Sequence, residues 1–174
     1  MSGGRFYLFW MLAFLGFPAG GFLAFLTVGP IEGFLSAALA GALAGSVIGA
    51  AQFLAFRGRL GVGPLWIVAT AFGLALGDAV GAALTGAGTS IGALIFTGVA
   101  AGAAVGVSQW ALLRRHAAAA ILWPPVVAVA WPVGWTVTWA VGIDVERGYV
   151  VFGSTGALVF AAITGATMLL LTRR

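Results

Sequence analysis

The chain has 174 residues, of which 62% are hydrophobic and 7% charged, and its mean hydropathy is +1.14. Soluble domains carry about a quarter charged residues, so this composition excludes an ordinary water-soluble fold and points to lipid as the solvent. There is no cysteine, which rules out disulfides, thiolate metal sites and cysteine nucleophiles. The net charge of +4 is too small and too clearly placed at segment ends to argue for nucleic-acid binding.

Apolar runs long enough to cross about 30 Å of hydrocarbon, roughly 20 helical residues, occur six times. They are Phe6–Val28, Gly33–Phe56, Pro64–Leu84, Ile91–Leu113, Ile121–Val141 and Tyr149–Leu171. Backbone groups in lipid must be satisfied within their own segment, and the alternation of a barrel strand is absent, so the fold class is all-α, an integral membrane bundle of six transmembrane helices. No polar linker divides the chain, which reads as one transmembrane domain, 1–174. The first run exceeds a signal-peptide core and lacks a small-x-small cleavage site, so it reads as a retained helix.

Numbering the loops alternately puts Arg5, Arg57, Arg59, Arg114, Arg115, Arg173 and Arg174 on one side. Arg147, Glu32, Asp144 and Glu146 fall on the other. An arginine excess on one face is the positive-inside pattern and places both termini in the cytoplasm, with the arginines setting topology.

The same landmarks recur with a period of 56 to 59 residues. Trp10, Trp66 and Trp123 are each followed eleven positions later by glycine, at Gly21, Gly77 and Gly134. Gly49-Ala-Ala-Gln52-Phe53 matches Gly106-Val-Ser-Gln109-Trp110, each glutamine standing five residues before its arginine, while Met168 takes the third glutamine's place. Three pseudo-repeated helical hairpins, 1–59, 60–116 and 117–174, arranged with approximate threefold symmetry, account for these spacings.

In lipid, helices associate through close backbone packing, so small residues spaced by four mark contact faces. Such lines are Gly41, Gly45 and Gly49; Gly73, Gly77 and Gly81; Gly98, Gly102 and Gly106; and the weaker Ala157, Ala161 and Gly165. They are expected to pack within the bundle, with contact to a homo-oligomer partner or a second membrane protein as the alternative.

Trp10, Trp66 and Trp123 lie near helix ends, where an interfacial aromatic belt is the ordinary reading. Trp131, Trp135 and Trp139 form a stripe at i, i+4, i+8, suited to lipid or packing contact, or to a pocket for a flat apolar ligand. Pro124 and Pro125 suit a first helical turn, whereas Pro18 and Pro132 are expected to kink their helices.

Asp78 is the one carboxylate within a span, and its charge is costly to bury. It reads either as a local hydrogen-bonding or headgroup contact or as a substrate or proton site. Gln52 and Gln109 are expected to hydrogen-bond between helices, or to form a polar ring at the mouth of a central cavity. His116 lies in a loop without a second ligand, so no metal site and no cofactor is implied. Paired carboxylates, nucleophile–base dyads and a phosphate loop are all absent, so the protein is expected not to be an enzyme.

The segments Gly106-Val-Ser-Gln109-Trp110-Ala-Leu-Leu-Arg114-Arg115 and Gly49-Ala-Ala-Gln52-Phe53-Leu-Ala-Phe-Arg57 resemble the G-x-x-Q-[WF]-x-x-x-R motif of a loose group of six-helix bacterial inner-membrane proteins. That resemblance implies a multi-pass inner-membrane protein and carries no activity. In size and helix count the chain also resembles the substrate-binding membrane components of energy-coupling vitamin transporters. Two functions stand at this point. One is a non-enzymatic packing, assembly or accessory subunit in contact with the lipid bilayer. The other is a small-solute or lipophilic-ligand transporter or substrate-binding component with a central cavity.

Overall fold

The computed structural model describes residues 2–57, 61–143 and 149–172, with the side chains of residues 149–153 left out of the description. Helix α1 spans Gly3–Val28, α2 Phe34–Phe56, α3 Leu65–Thr85 and α4 Ile91–Leu113. Helix α5 spans Trp123–Ala140 after a 3-10 lead-in at Ala118–Leu122, and α6 spans Tyr149–Leu171. Six helices are therefore long and apolar enough to cross a membrane. The described residues contain no strand.

Local chemistry sets the helix ends. The Ser2 and Ser90 side chains accept from the amides of Arg5 and Ala93, satisfying first-turn donors that have no partner within the helix. Ser36 folds back to accept from the Glu32 and Gly33 amides ahead of α2. Gly86 closes α3 in the left-handed conformation at φ 64°, which costs glycine little. Pro124 and Pro125 sit in the opening turn of α5, where a missing N–H is harmless.

Each helix packs against its neighbours in chain order, and α6 returns to α1, so the bundle is a closed ring. The glycine lines make this closeness possible. Gly41, Gly45 and Gly49 of α2 face Leu74, Ala71 and Ile67 of α3. Gly73, Gly77 and Gly81 of α3 face Val105, Ala101 and Thr97 of α4, while Gly98, Gly102 and Gly106 of α4 face Pro132, Val127 and Pro124 of α5. Gly134 of α5 meets Gly156 of α6, and Thr138 stitches the crossing by accepting from the Gly156 amide at 2.9 Å. The seam between α6 and α1 places Gly165 under Trp10 and Tyr7. Every line of glycines is thus used inside the chain. The large hydrophobic side chains exposed on the outside are leucine, valine, isoleucine, phenylalanine and Trp139.

Helix α1 departs from its counterparts. Pro18 cannot donate to the carbonyl four residues back, and the helix tightens to 3-10 geometry at Ala13–Leu15 just before it. Three 3-10 residues rise about 1.5 Å further than three α residues, roughly one α-helical step. Hence Gly20, ten residues after Trp10, takes the place against Ala44 that Gly77, eleven after Trp66, takes against Ala101. Gly21 turns toward the axis instead. Helix α5, by contrast, runs unbroken through Pro132.

A methyl group added at Gly41 would stand 2.7 Å from the Leu74 carbonyl oxygen, whereas one at Gly92 would meet nothing within 4 Å. Gly41→Ala is expected to destabilise the bundle by about 1–3 kcal/mol. Gly92→Ala is expected to leave it unchanged or slightly firmer, with thermal melting in mild detergent as the measurement.

Candidate functional site

In a ring of six packed helices the axis lies about as far from each helix as neighbours lie from one another, about 8–10 Å, so only long side chains reach it. At the end where Arg5, Arg57 and Arg114 lie, tryptophans fill this space. Trp10, Trp66 and Trp123 are all 0–1% exposed, which overturns their reading as an interfacial belt. Trp123 meets Trp10 and Trp66 with ring centroids 6.1 Å apart in both pairs. Phe56 closes the circle, 6.1 Å from Trp10 and 5.0 Å from Trp66. Stacked, tilted and edge-on contacts such as these contribute about 0.5–1.5 kcal/mol per pair beyond area burial.

Buried indoles need acceptors, and each tryptophan finds one on a neighbouring helix. Trp66 Nε1 donates to Gln52 Oε1 at 3.0 Å and Trp123 Nε1 donates to Gln109 Oε1 at 2.8 Å. Trp10 Nε1 donates to Thr164 Oγ1 at 3.1 Å, one turn before the Met168 that replaces the third glutamine. Gln109 Nε2 donates to Thr70 Oγ1 at 2.9 Å and to Gln52 Oε1 at 3.3 Å. Four helices, α2 to α5, are therefore joined through two amides. The glutamines make the interhelical bonds expected of them but do not rim a cavity. Their polar atoms face the indoles and Thr70, and the tryptophans occupy the axis beside them.

Above the tryptophan layer a second aromatic cluster forms. Trp131 lies 5.6 Å from Phe17 and 5.0 Å from Phe160, with Phe17 and Phe160 5.1 Å apart. Beyond it the axis is hollow. A cavity of about 260 Å³ runs to the loops at the end away from Arg57 and Arg114. Ile48, Leu74, Phe17 and Trp131 floor it, Ala37, Ala40, Ala44, Phe25, Leu94 and Trp135 wall it, and Gly29, Ile31 and Ala87–Thr89 rim it. Ala87 holds φ at 55° on that rim, a conformation that side chains other than glycine rarely adopt.

Asp78 is the single charged residue among the described residues of this lining. It stands seven residues before the end of α3, about 10 Å deep at the helical rise. Its Oδ1 is buried and has no hydrogen-bond partner among the described residues. The residue as a whole is only partly buried, since it borders the cavity. That geometry puts Asp78 on the axial cavity.

The tryptophan stripe of α5 divides. Trp131 is buried and Trp135 lines the cavity, but Trp139 is 52% exposed and absent from it. Four residues rotate a helix about 40° past a full turn, so two steps carry Trp139 about 80° from Trp131, in the last turn of α5. Phe17, Phe25 and the lining threonines Thr85, Thr89 and Thr97 escaped the sequence reading. A signal for Phe17 existed, since Phe17, Leu74 and Trp131 stand two turns beyond Trp10, Trp66 and Trp123.

At the opposite end, the Arg5 and Arg114 guanidinium groups lie 5.8 Å and 5.5 Å over Phe9 and Trp110, and Arg57 and Arg115 are exposed. Arg59, Arg173 and Arg174, assigned to topology from sequence, lie outside the described residues, as do Asp144, Glu146 and Arg147. His116 is exposed with Nδ1 3.1 Å from the Leu112 carbonyl. The described residues hold no cluster of three metal-ligating side chains. No protein-family model, curated protein or solved structure matches the chain.

Gln109→Leu leaves the Trp123 indole without an acceptor in a dry core. It is expected to lower stability by about 2 kcal/mol, and Trp123→Phe in the same chain is expected to recover part of that loss. The check is a double-mutant cycle on thermal melting in detergent.

Proposed function

We propose that this chain is a non-enzymatic multi-pass protein of a bacterial inner membrane whose axial cavity holds a small lipophilic ligand, making it a substrate-binding or solute-carrying component. The observation that carries this reading is the 260 Å³ hollow on the ring axis with, in its wall, a carboxylate whose Oδ1 has no partner among the described residues. Largely apolar pockets with few polar groups are the usual form of small-molecule sites. A subunit built only for assembly has no use for such a void, which forfeits packing contacts. The small-residue faces that favoured an assembly role are all engaged within the ring.

The aromatic layers close the axis at the arginine end, so the cavity is a dead end in this conformation and suits binding better than an open channel. The orientation proposed has the arginine end in the cytoplasm and the cavity facing outward, supported by the charge asymmetry. Three copies of one hairpin design are supported by Gly20 on Ala44 and Gly77 on Ala101, two contacts 57 residues apart. The indole bonds of Trp10, Trp66 and Trp123 to the hairpin before each, counted around the ring, support it equally.

Ala40 lines the cavity, and Ala40→Trp fills it. Native mass spectrometry from mild detergent is expected to show a small-molecule adduct on the unaltered chain and none on Ala40→Trp. If the unaltered chain is bare while Ala40→Trp only raises the melting temperature, the hollow is a packing defect and the ligand-binding reading is wrong.

A further inference from the structure

Resting on that reading, we propose that the ligand is an organic cation, an amine with a flat apolar body, whose ammonium group sits against Asp78. Two independent features of the site converge on this class. The first is electrostatic. Asp78 Oδ1 is buried without a donor, and an ionised carboxylate in low dielectric is stable only when a positive group or hydrogen-bond donors reach it. The arginines described at the helix ends, Arg5, Arg57, Arg114 and Arg115, belong to the far side of the ring, and the described residues of the cavity lining include no basic one. Among the described residues, the charge that matches Asp78 is thus left for the occupant to bring.

The second feature is the shape of the remaining wall. Phe17, Trp131 and Trp135 border the same cavity, offering ring faces whose negative quadrupole attracts a cation and whose area suits a planar apolar body. Carboxylate and aromatic faces in one cavity provide both halves of amine recognition. A neutral lipophile would use the aromatic faces and leave Asp78 unpaired, and a mineral cation would find one carboxylate and too few oxygen ligands among the lining residues.

The test uses the full-length chain in detergent and two probes of one shape, naphthylmethylamine, protonated at neutral pH, and neutral naphthylmethanol, with binding followed by calorimetry. The amine is expected to bind about tenfold or more tighter than the alcohol. Asp78→Asn is expected to erase the difference while leaving alcohol binding intact, and Asp78→Glu to retain part of it. Equal binding of both probes to the unaltered chain overturns the cationic class but not the cavity reading, and means that Asp78 meets the ligand uncharged. A preference that survives Asp78→Asn also overturns it. Binding of neither probe overturns the cavity reading with it. Because Arg147 stands between α5 and α6 in the sequence, the set includes Arg147→Gln. An amine preference present only in that variant means that the chain supplies its own counter-ion, and the proposal falls.

Discussion

A closed ring of six helices in hydrocarbon leaves an axis that no backbone can occupy, and most of this molecule follows from how that axis is treated. Lipid tails are as apolar as the bundle interior, so burial of leucine gives little reason for helices to associate. Contact between backbones must supply it, which explains why so many glycines face a neighbour's main chain. Drawing the helices close does not remove the hole, because the ring's centre lies as far off as its neighbours do. Three tryptophans and Phe56 solve this at one end. At the other end Trp131 and Trp135 border the axis without filling it.

Filling a dry axis with indoles creates a second obligation, since each brings an N–H donor. Gln52 and Gln109 meet it with amide oxygens, and Thr164 meets it with a hydroxyl supplied from one turn earlier than Met168. The amides then have donors of their own, which Gln109 spends on Thr70 and Gln52. These bonds do not rank high in strength for membrane proteins in general. Their weight here comes from the alternative, an indole or amide stranded where no water can reach it.

Much of this was legible in the sequence. Span limits were readable within three residues, because a run of apolar residues ending on arginine, glycine or proline leaves little freedom. Interhelical bonding by Gln52 and Gln109 was one of two roles their shared position allowed, and the glycine lines were readable from their spacing. What one helix's pattern cannot show is which way its face turns once six helices close. Trp10, Trp66 and Trp123 near helix ends look like belt residues, and only ring closure sends them to the centre. For Trp139 the spacing by four hid a steady rotation, and the 3-10 turn ahead of Pro18 shifted Gly20 and Gly21 by one place. The hollow itself leaves no mark in sequence, since it is made of what small residues such as Ala37, Ala40 and Ala44 fail to fill.

The contrast between the two halves of the axis bears on function. In the proposed threefold design the first helices of the hairpins carry the same residue at the filled end, tryptophan at 10, 66 and 123. Three turns further along, the corresponding lining positions are Gly21, Asp78 and Trp135. A glycine, a carboxylate and an indole around one void do not serve a common packing purpose. Sameness at the plug suits a part whose task is to close the ring. Difference at the cavity suits a part that meets something asymmetric, with space on one side, a charge on another and an aromatic face on the third. A small molecule with a charged end and a flat body has that asymmetry, and a lipid-filled void does not.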